Sequence, residues 1–199
     1  MSRSILKRVS LVHKFDPKNA EILESRDRKD FLNPDHILGK IGLDRETVLA
    51  DLGCGTGFFS IPASMLVKKV YALDVQQDML DILDAKIQKK RLKNINTLLS
   101  EESSIPLPDN SVDVLLMANV FHELEDRNSL LKEAYRILST RGKLVIIDWN
   151  KMEMDFGPPL HERLTPREVI SFCKKEGFKM LEKSEAGNYN YLLIFEKAL

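Results

Sequence analysis

The residues best suited to chemistry stand close together in one short stretch, in which an aspartate precedes three glycines at alternate positions: Asp51-Leu52-Gly53-Cys54-Gly55-Thr56-Gly57. An apolar run precedes this stretch and a helix-compatible segment follows it, so the order predicts a buried strand, a tight loop and a helix. Glycine lets a ligand approach the backbone closely, and the start of a helix offers free N–H groups. The stretch therefore predicts a ligand-binding loop at the end of a parallel strand, where α/β sheets bind ligands.

The spacing of the glycines argues against two common nucleotide-binding loops. The dinucleotide fingerprint G-x-G-x-x-G would need glycine where this chain has Phe58, and no Gly-Lys-Ser/Thr follows as in a P-loop. A tight strand-to-helix turn that binds nothing is the structural alternative for such a loop.

A second acid, Asp74, ends the next apolar run, at residues 69–74. It follows the glycine loop by about twenty residues, which is the offset of an acid that binds ribose hydroxyls. The alternative is that Asp74 only caps the following helix. With the glycine loop upstream, we predict the ribose role.

The elements that position these residues alternate along the chain. Apolar runs predict strands at residues 47–52, 69–74, 95–99, 112–118 and 143–148. Amphipathic stretches predict helices at residues 34–40, 58–66 and 76–91, another that ends before Gly142, and one at residues 166–175. This order is typical of a parallel sheet with helices on both faces. Two final strands, at residues 178–185 and 189–196, lie too close together for a crossover and must be antiparallel.

The bulk composition limits the classes of partner. The 199 residues contain 30 Lys plus Arg and 30 Asp plus Glu, so the net charge is zero and indicates neither nucleic acid nor an anionic membrane as partner. We find no apolar run of membrane-spanning length and no signal peptide, and a cytoplasmic protein is expected. One domain over residues 1–199 is predicted, with residues 1–33 as an arm. That arm is either solvated or a lid that closes with Phe15 and Phe31.

Taken together, these features resemble the class I S-adenosylmethionine (SAM)-dependent methyltransferases. Residues 51–57 match their motif I, and Asp74 matches their second-strand acid. Residues 100–113 are similar to the family's Gly-Asp-Ala-x-x-Leu-Pro-Phe-Pro-Asp-Asn-Ser-Phe-Asp, and residues 133–144 to Glu-x-x-Arg-x-Leu-x-Pro-Gly-Gly-x-Leu, with Thr140 and Arg141 replacing proline and glycine. The chain resembles most the ubiquinone/menaquinone-type and related type 11 small-molecule methyltransferases.

The resemblance implies a Rossmann-like three-layer α/β sandwich, whose seven-stranded, mostly parallel sheet closes with an antiparallel C-terminal hairpin. It implies SAM as cofactor and S-adenosylhomocysteine as product. Glu101 replaces the family's adenine-binding acid, and Ile105 is expected to line the adenine pocket. The cofactor-binding residues that it implies are Asp51, Gly53, Gly55, Gly57, Asp74, Val75, Met79, Glu101, Glu102, Ala118 and Asn119.

The catalytic residue is left open, because methyl transfer is an in-line displacement that depends mainly on alignment. His122 is the candidate general base, and a hydrogen-bonding wall residue is its alternative. Tyr189 and Tyr191 are expected to pack on the sheet. His161 and Arg163 are either anion-binding or simply solvated loop residues. Cys54 and Cys173 have no partner cysteines in sequence, so no metal is expected.

The sequence thus predicts a methyltransferase that acts on a small molecule at oxygen, nitrogen or carbon. The alternatives are an NAD(P)-type oxidoreductase and a protein that binds SAM or S-adenosylhomocysteine without catalysis. The acceptor and the oligomeric state are not determined, and a homodimer is compatible with the sequence.

Overall fold

The computed structural model describes residues 26–198. The strands are β1 (Val48–Leu52), β2 (Lys69–Asp74), β3 (Ile95–Leu99), β4 (Val112–Ala118), β5 (Leu138–Trp149), β6 (Phe178–Glu185) and β7 (Asn190–Lys197). The helices are α1 (Arg26–Phe31), α2 (Pro34–Ile41), α3 (Ser60–Ser64), α4 (Gln77–Lys90), α5 (Arg127–Ile137) and α6 (Pro166–Lys175), and a 3-10 turn covers Phe121–Glu123. Among these residues, no helix is both long and apolar enough to cross a membrane.

All seven strands form one sheet in the order β3-β2-β1-β4-β5-β7-β6. Strands β1 to β5 pair in parallel, and β7 runs antiparallel to both of its neighbours. The predicted sheet with its antiparallel C-terminal hairpin is therefore confirmed. Because β1 lies between β2 and β4, the loops that follow these three strands emerge side by side at one edge of the sheet.

Alternating side chains of the central strands pack into two separate cores. Leu49 on β1 belongs to the core beneath α2, α3 and α4, whereas its neighbour Ala50 belongs to the core beneath α5 and α6. Successive strand residues point to opposite faces, so both faces of the sheet are covered and three layers result.

The helix caps form as their sequence signals predict. The side chain of Asn33 accepts a hydrogen bond from the His36 N–H at 3.1 Å, and Pro34 opens α2. Gly42 ends that helix with φ 74°. At α6, Thr165 and Glu168 form the expected capping box. Local polar chemistry thus sets these helix ends.

Two predicted boundaries were wrong. Strand β5 begins at Leu138, directly after α5, so Gly142 lies inside the strand and does not end the helix. The pairing of β5 with β4 shifts register there, and Arg141 takes φ 62°, which absorbs the irregularity. The first crossover helix, α3, is also shorter than the predicted residues 58–66.

Glu133 and Arg136 on α5 form an ion pair that also binds the loop between β3 and β4. Arg136 donates to both carboxylate oxygens of Glu133, at 2.8 and 2.7 Å, and also to the carbonyls of Ile105 and Leu107. Glu133 in turn accepts the Ile105 N–H at 3.1 Å. The pair therefore holds the loop between β3 and β4 against α5.

Candidate functional site

A cavity of about 970 Å³ opens where the carboxyl ends of β1, β2, β4 and β5 meet. Its volume lies near the upper end of the range, roughly 300–1,000 Å³, that is typical of small-molecule sites. The chain segments that line it include the glycine loop, the ends of β2 and β3, the turn after β4, and the loop after β5. The glycine loop and the residues that follow the strands thus line one cavity.

The glycine loop is tied to the sheet and requires glycine at its first position. The N–H groups of Gly53 and Cys54 both donate to the Leu73 carbonyl, at 2.8 and 3.0 Å. Gly53 has φ 71°, and a Cβ there would lie 2.3 Å from Cγ2 of Val120. Gly55, with φ 51°, also lines the cavity.

Gly57 has a different surrounding from the other two glycines. Its φ is 90°, and a Cβ there would lie 2.4 Å from Cδ1 of Leu83 on α4. It is not one of the residues that line the cavity. Gly57 therefore has a packing role, because the close approach of the loop to α4 leaves no room for a side chain. Its contact with the cofactor stays a prediction.

The two predicted acids lie on adjacent strands and differ in environment. Asp51 is 2% exposed and accepts a hydrogen bond from Ser60 Oγ at 2.5 Å. Burial raises the pKa of Asp51 to about 6. Asp74 accepts the N–H groups of Gly55, at 2.9 Å, and of Gln76, at 3.0 Å, with one carboxylate oxygen each. Asp74 therefore holds the glycine loop and the approach to α4 in one geometry.

The residues predicted to surround the adenine differ in whether they line the cavity. Val75, Met79, Glu101 and Glu102 all line it. Ile105 does not line it, because this side chain is buried in the core beneath α5 and α6.

Sequence reasoning missed Ser100, which lies in this wall. Ser100 is 6% exposed, and its Oγ has no hydrogen-bond partner within residues 26–198. A buried hydroxyl without a partner is costly, so this atom suits a polar ligand group.

The end of β4 brings Ala118 and Asn119 to the cavity. Asn119 takes φ 60°, a left-handed conformation that asparagine tolerates better than most residues. Its N–H donates to the Ile147 carbonyl at 2.8 Å, and its Oδ1 accepts from Asn190 Nδ2 at 2.8 Å. The neighbouring strands β5 and β7 thus hold this turn.

His122 forms a buried pair with Asp148 from the end of β5. Nδ1 of His122 lies 2.7 Å from Asp148 Oδ1, and the backbone N–H of His122 donates to Oδ2 at 3.0 Å. Burial lowers the pKa of His122, but the charge and hydrogen bond of Asp148 outweigh burial and raise it above its usual value. Because an ionised carboxylate only accepts, Nδ1 carries hydrogen and Nε2 is the nitrogen that can take a proton.

Glu123, beside this pair, is a second residue that sequence reasoning did not single out. Its carboxylate lies 3.8 Å from Nε2 of His122, and Glu123 lines the cavity. Burial raises its pKa to about 7, against the opposing charge of His122. Two groups that can exchange protons near neutral pH therefore stand together.

Four aromatic side chains, Phe31, Trp149, Phe156 and Tyr189, form one wall of the cavity, which we call the aromatic wall. Phe156 and Tyr189 meet edge to face at 4.8 Å, and Phe31 meets Tyr189 at 5.5 Å. The expectation that Tyr189 packs on the sheet was wrong, because it precedes β7 and turns to the cavity. Tyr191 is buried in the core as expected, and its hydroxyl donates to the Leu164 carbonyl. Phe15 lies outside the described residues.

Arg163 donates hydrogen bonds within its own loop. The expectation that it binds an anion or is solvated was therefore wrong. Arg163 is 3% exposed and donates to the carbonyls of Met152, Phe156 and Pro158 at 2.7 to 2.9 Å. His161 is exposed and does not line the cavity. Neither side chain is placed to bind an anionic acceptor there. Arg163 instead holds the loop that carries Phe156.

Arg28 on α1 is a further residue that the sequence did not indicate, since it lies in a stretch without clear periodicity. It lines the cavity, and its guanidinium carbon lies 4.3 Å from the ring centroid of Phe58. Burial lowers its pKa to about 10, against the charge of Asp51. Within the described residues, no cluster of three or more His, Cys, Asp or Glu side chains could hold a metal ion.

Comparison with known proteins agrees with this geometry. A protein-family profile described as "Methyltransferase domain" matches residues 50–146. The chain is 36% identical to a SAM dependent methyltransferase from Aquifex aeolicus, with a TM-score of 0.88 and coverage of 93% of this chain and 100% of the other.

Two relatives carry more specific names. A demethylmenaquinone methyltransferase of Geobacillus sp. is 30% identical over 101 residues, which cover 49% of this chain and 43% of that protein. A ubiquinone/menaquinone biosynthesis C-methyltransferase of Pectobacterium atrosepticum is 26% identical over 155 residues, which cover 76% and 59%. The chain spans about half the length of the curated relatives it matches. The match to the Aquifex structure extends over nearly the whole fold, and the chain therefore belongs to the class I SAM-dependent methyltransferases, whose methyl donor is S-adenosylmethionine.

Proposed function

We propose that this chain transfers the methyl group of SAM to a small-molecule acceptor held beside His122. The observation that carries the proposal is the single cavity that has the glycine loop and Asp74 on one side. The same cavity has the His122–Asp148 pair and the aromatic wall on the other. The family assignment removes the oxidoreductase alternative.

The residues present fit the cofactor. Asp74 lines the cavity at the end of β2, and its carboxylate is a charged acceptor of the kind that binds ribose hydroxyls. Gly53 and Gly55 leave the loop backbone open to the ligand. Ser100 Oγ offers a buried hydroxyl that has no protein partner within residues 26–198.

The other predicted cofactor residues fit the remaining parts of the ligand. Val75 and Met79 offer apolar surface for the adenine, and Glu101 and Glu102 lie at the edge of that wall. Ala118 and Asn119 face the amino-acid tail from the end of β4. Asp51 stays a buried negative group beneath the loop.

SAM supplies an electrophilic methyl group on a positively charged sulfur leaving group. The protein's part is to align the acceptor, exclude water and move a proton where the acceptor must lose one. The aromatic wall excludes water, and Nε2 of His122 takes the proton while Asp148 holds the ring. A positioned base of this kind typically contributes about 10²- to 10⁴-fold to the rate.

The names of two relatives guide the choice of acceptor. One is called a C-methyltransferase of ubiquinone/menaquinone biosynthesis and the other a demethylmenaquinone methyltransferase. We therefore place quinols and phenols first among the acceptors to be screened. Such acceptors carry a hydroxyl proton that His122 can remove.

Calorimetric titration with SAM and with S-adenosylhomocysteine tests the cofactor site. We expect micromolar binding of both, strong weakening in Asp74→Ala, and no change in Asp78→Ala, which removes an exposed acid of α4. Failure of the unaltered protein to bind either ligand would overturn the proposal. Binding without turnover of any acceptor would favour the non-catalytic alternative.

A further inference from the structure

Two hydrogen-bond acceptors line the cavity side by side without bonding to each other. Nε2 of His122 lies 3.8 Å from Oε1 of Glu123, which is beyond hydrogen-bond distance. Within residues 26–198, the Glu123 carboxylate accepts no hydrogen bond, although only 28% of this side chain is exposed. A neutral imidazole nitrogen and a carboxylate oxygen both accept hydrogen bonds, so each atom can receive its own donor from one ligand.

The turn that carries these two acceptors is held in place by backbone contacts. Arg127 on α5 donates to the Phe121 carbonyl at 3.1 Å and to the His122 carbonyl at 2.8 Å. The Glu123 N–H donates to the Val120 carbonyl at 2.9 Å. The backbone beneath the two side chains is therefore fixed, and with it the spacing from which they receive donors.

The charged groups that act on Glu123 come from several elements. They are His122 in the same turn, Asp148 at the end of β5, Asp74 at the end of β2 and Glu162 in the loop after β5. Three of these four neighbours are carboxylates. A second acceptor or an anionic group of a ligand would be repelled here, whereas a donor would be favoured.

The aromatic wall begins beside the same pair. Trp149 directly follows Asp148, which holds the His122 ring, and Phe156 lies in the same loop as Glu162. Aromatic side chains pack against a flat ring by offset stacking or edge to face. The cavity thus offers a flat apolar surface together with two acceptors that stand a few ångströms apart.

We infer that the methyl acceptor is a flat ring with hydrogen-bond donors on two neighbouring atoms, and that Glu123 selects for the second donor. Hydroxyls on neighbouring ring carbons can reach His122 and Glu123 together, whereas hydroxyls at opposite ends of a ring stand too far apart. The contact with Glu123 is charge-assisted and therefore strong. The inference rests on the proposed function, since it names the class of acceptor for that site.

The test compares three acceptors with SAM: catechol, whose hydroxyls stand on neighbouring carbons, hydroquinone, whose hydroxyls stand at opposite ends, and phenol. Formation of S-adenosylhomocysteine gives kcat/KM for each, and EDTA and exclusion of air prevent metal bridging and oxidation of the acceptors. Burial raises the pKa of Glu123 to about 7, so the assay is run at about pH 8, where the carboxylate is ionised. We expect a preference for catechol of about tenfold to a hundredfold, the worth of one hydrogen bond to a charged group.

Glu123→Gln should lower this preference several-fold, because the amide oxygen is neutral, and Glu123→Leu should remove it. The ratio between catechol and hydroquinone is the decisive quantity, since a change in the basicity of His122 acts on both acceptors. Glu125→Gln is the matched control, because Glu125 is exposed and does not line the cavity. If Glu123→Leu does not fold, Glu123→Gln alone carries the test.

Three results would overturn the inference: no preference for catechol in the unaltered protein, an equal loss for all three acceptors in the Glu123 variants, or an unchanged preference in those variants. Each of these leaves the proposed function standing. If the unaltered protein binds SAM but methylates no acceptor at all, the proposed function fails and the inference fails with it.

Discussion

Nδ1 of His122 lies 2.7 Å from Oδ1 of Asp148, and the second carboxylate oxygen accepts the backbone N–H of the same histidine. His122 is 5% exposed and Asp148 is completely buried. The carboxylate therefore fixes both the position of the ring and its tautomer. This contact joins the turn after β4 to the end of β5, and two expectations depend on it.

The first expectation concerns turnover with an acceptor that carries an ionisable proton. Asp148→Asn should slow methyl transfer by about 10²- to 10³-fold, because the amide has one acceptor oxygen for the two His122 N–H groups and the imidazolium loses its counter-ion. Binding of S-adenosylhomocysteine should stay unchanged, since Asp148 does not line the cavity. Asp155→Asn, in the exposed loop after β5, is the control. Full activity of Asp148→Asn would exclude a base role for His122.

The second expectation concerns the pH dependence of stability. The pKa of His122 is raised in the folded chain, so the pair stabilises the fold fully below the unfolded pKa of about 6.5. That stabilisation is lost as the pH rises through the folded pKa. The difference in unfolding free energy between the unaltered protein and His122→Gln should therefore be larger at pH 5.5 than at pH 8.5, as measured by urea denaturation. If this difference in unfolding free energy does not change with pH, the charged His122–Asp148 pair does not stabilise the fold.

The third expectation concerns Asp51, whose pKa is raised to about 6 in the fold. The unfolded chain releases this proton first, so the fold loses stability as the pH rises from about 4 to about 6. Asp51→Asn should therefore raise the unfolding free energy at pH 7.5, by roughly 1–3 kcal/mol, and have little effect near pH 4. It should also weaken SAM binding. A variant that is less stable at pH 7.5 would show that the charged form is favoured in the fold.

The fourth expectation concerns the glycine at the start of the loop. Gly53→Ala should destabilise the fold by at least about 1–2 kcal/mol, from its positive φ alone, and should abolish cofactor binding. Adding Val120→Ala should recover the part due to the clash with Val120. Gly39→Ala is the control: no atom lies within 4 Å of its added Cβ, and α2 should gain about 0.5–1 kcal/mol. Thermal denaturation of the four proteins measures these differences in stability. If Gly53→Ala is as stable as the unaltered protein, glycine is not required at position 53.

The fifth expectation concerns the loop that carries Phe156. Arg163→Lys keeps the charge but cannot reproduce the fork that donates to three carbonyls. Proteolytic cleavage between residues 151 and 164 should become faster, and the Michaelis constant of the acceptor should rise, because part of the aromatic wall is released. His161→Ala, at an exposed position of the same loop, should change neither quantity. Equal cleavage rates in all three proteins would show that Arg163 does not hold the loop.

The elements of the fold could be predicted because their signals are local. Asn33 and Thr165 cap their helices through side chains that reach only three residues ahead. The alternation of strands and helices, and the short link between β6 and β7, specify the direction of each strand. The boundary between α5 and β5 could not be predicted, since pairing with β4 extends β5 past the glycine that the sequence offers as a stop.

The sequence by itself placed the glycine loop, Asp74, Asn119 and His122 at one edge of a sheet, because each follows a strand and parallel strands end on the same side. Tertiary structure alone decided what surrounds them. It brought Asp148 to His122 across 26 residues, Arg28 to the glycine loop, and Phe31 and Tyr189 into one wall. These contacts depend on how distant segments pack, and no local pattern encodes them. Burial, which shifts the pKa values of Asp51 and Glu123, likewise exists only in the folded chain.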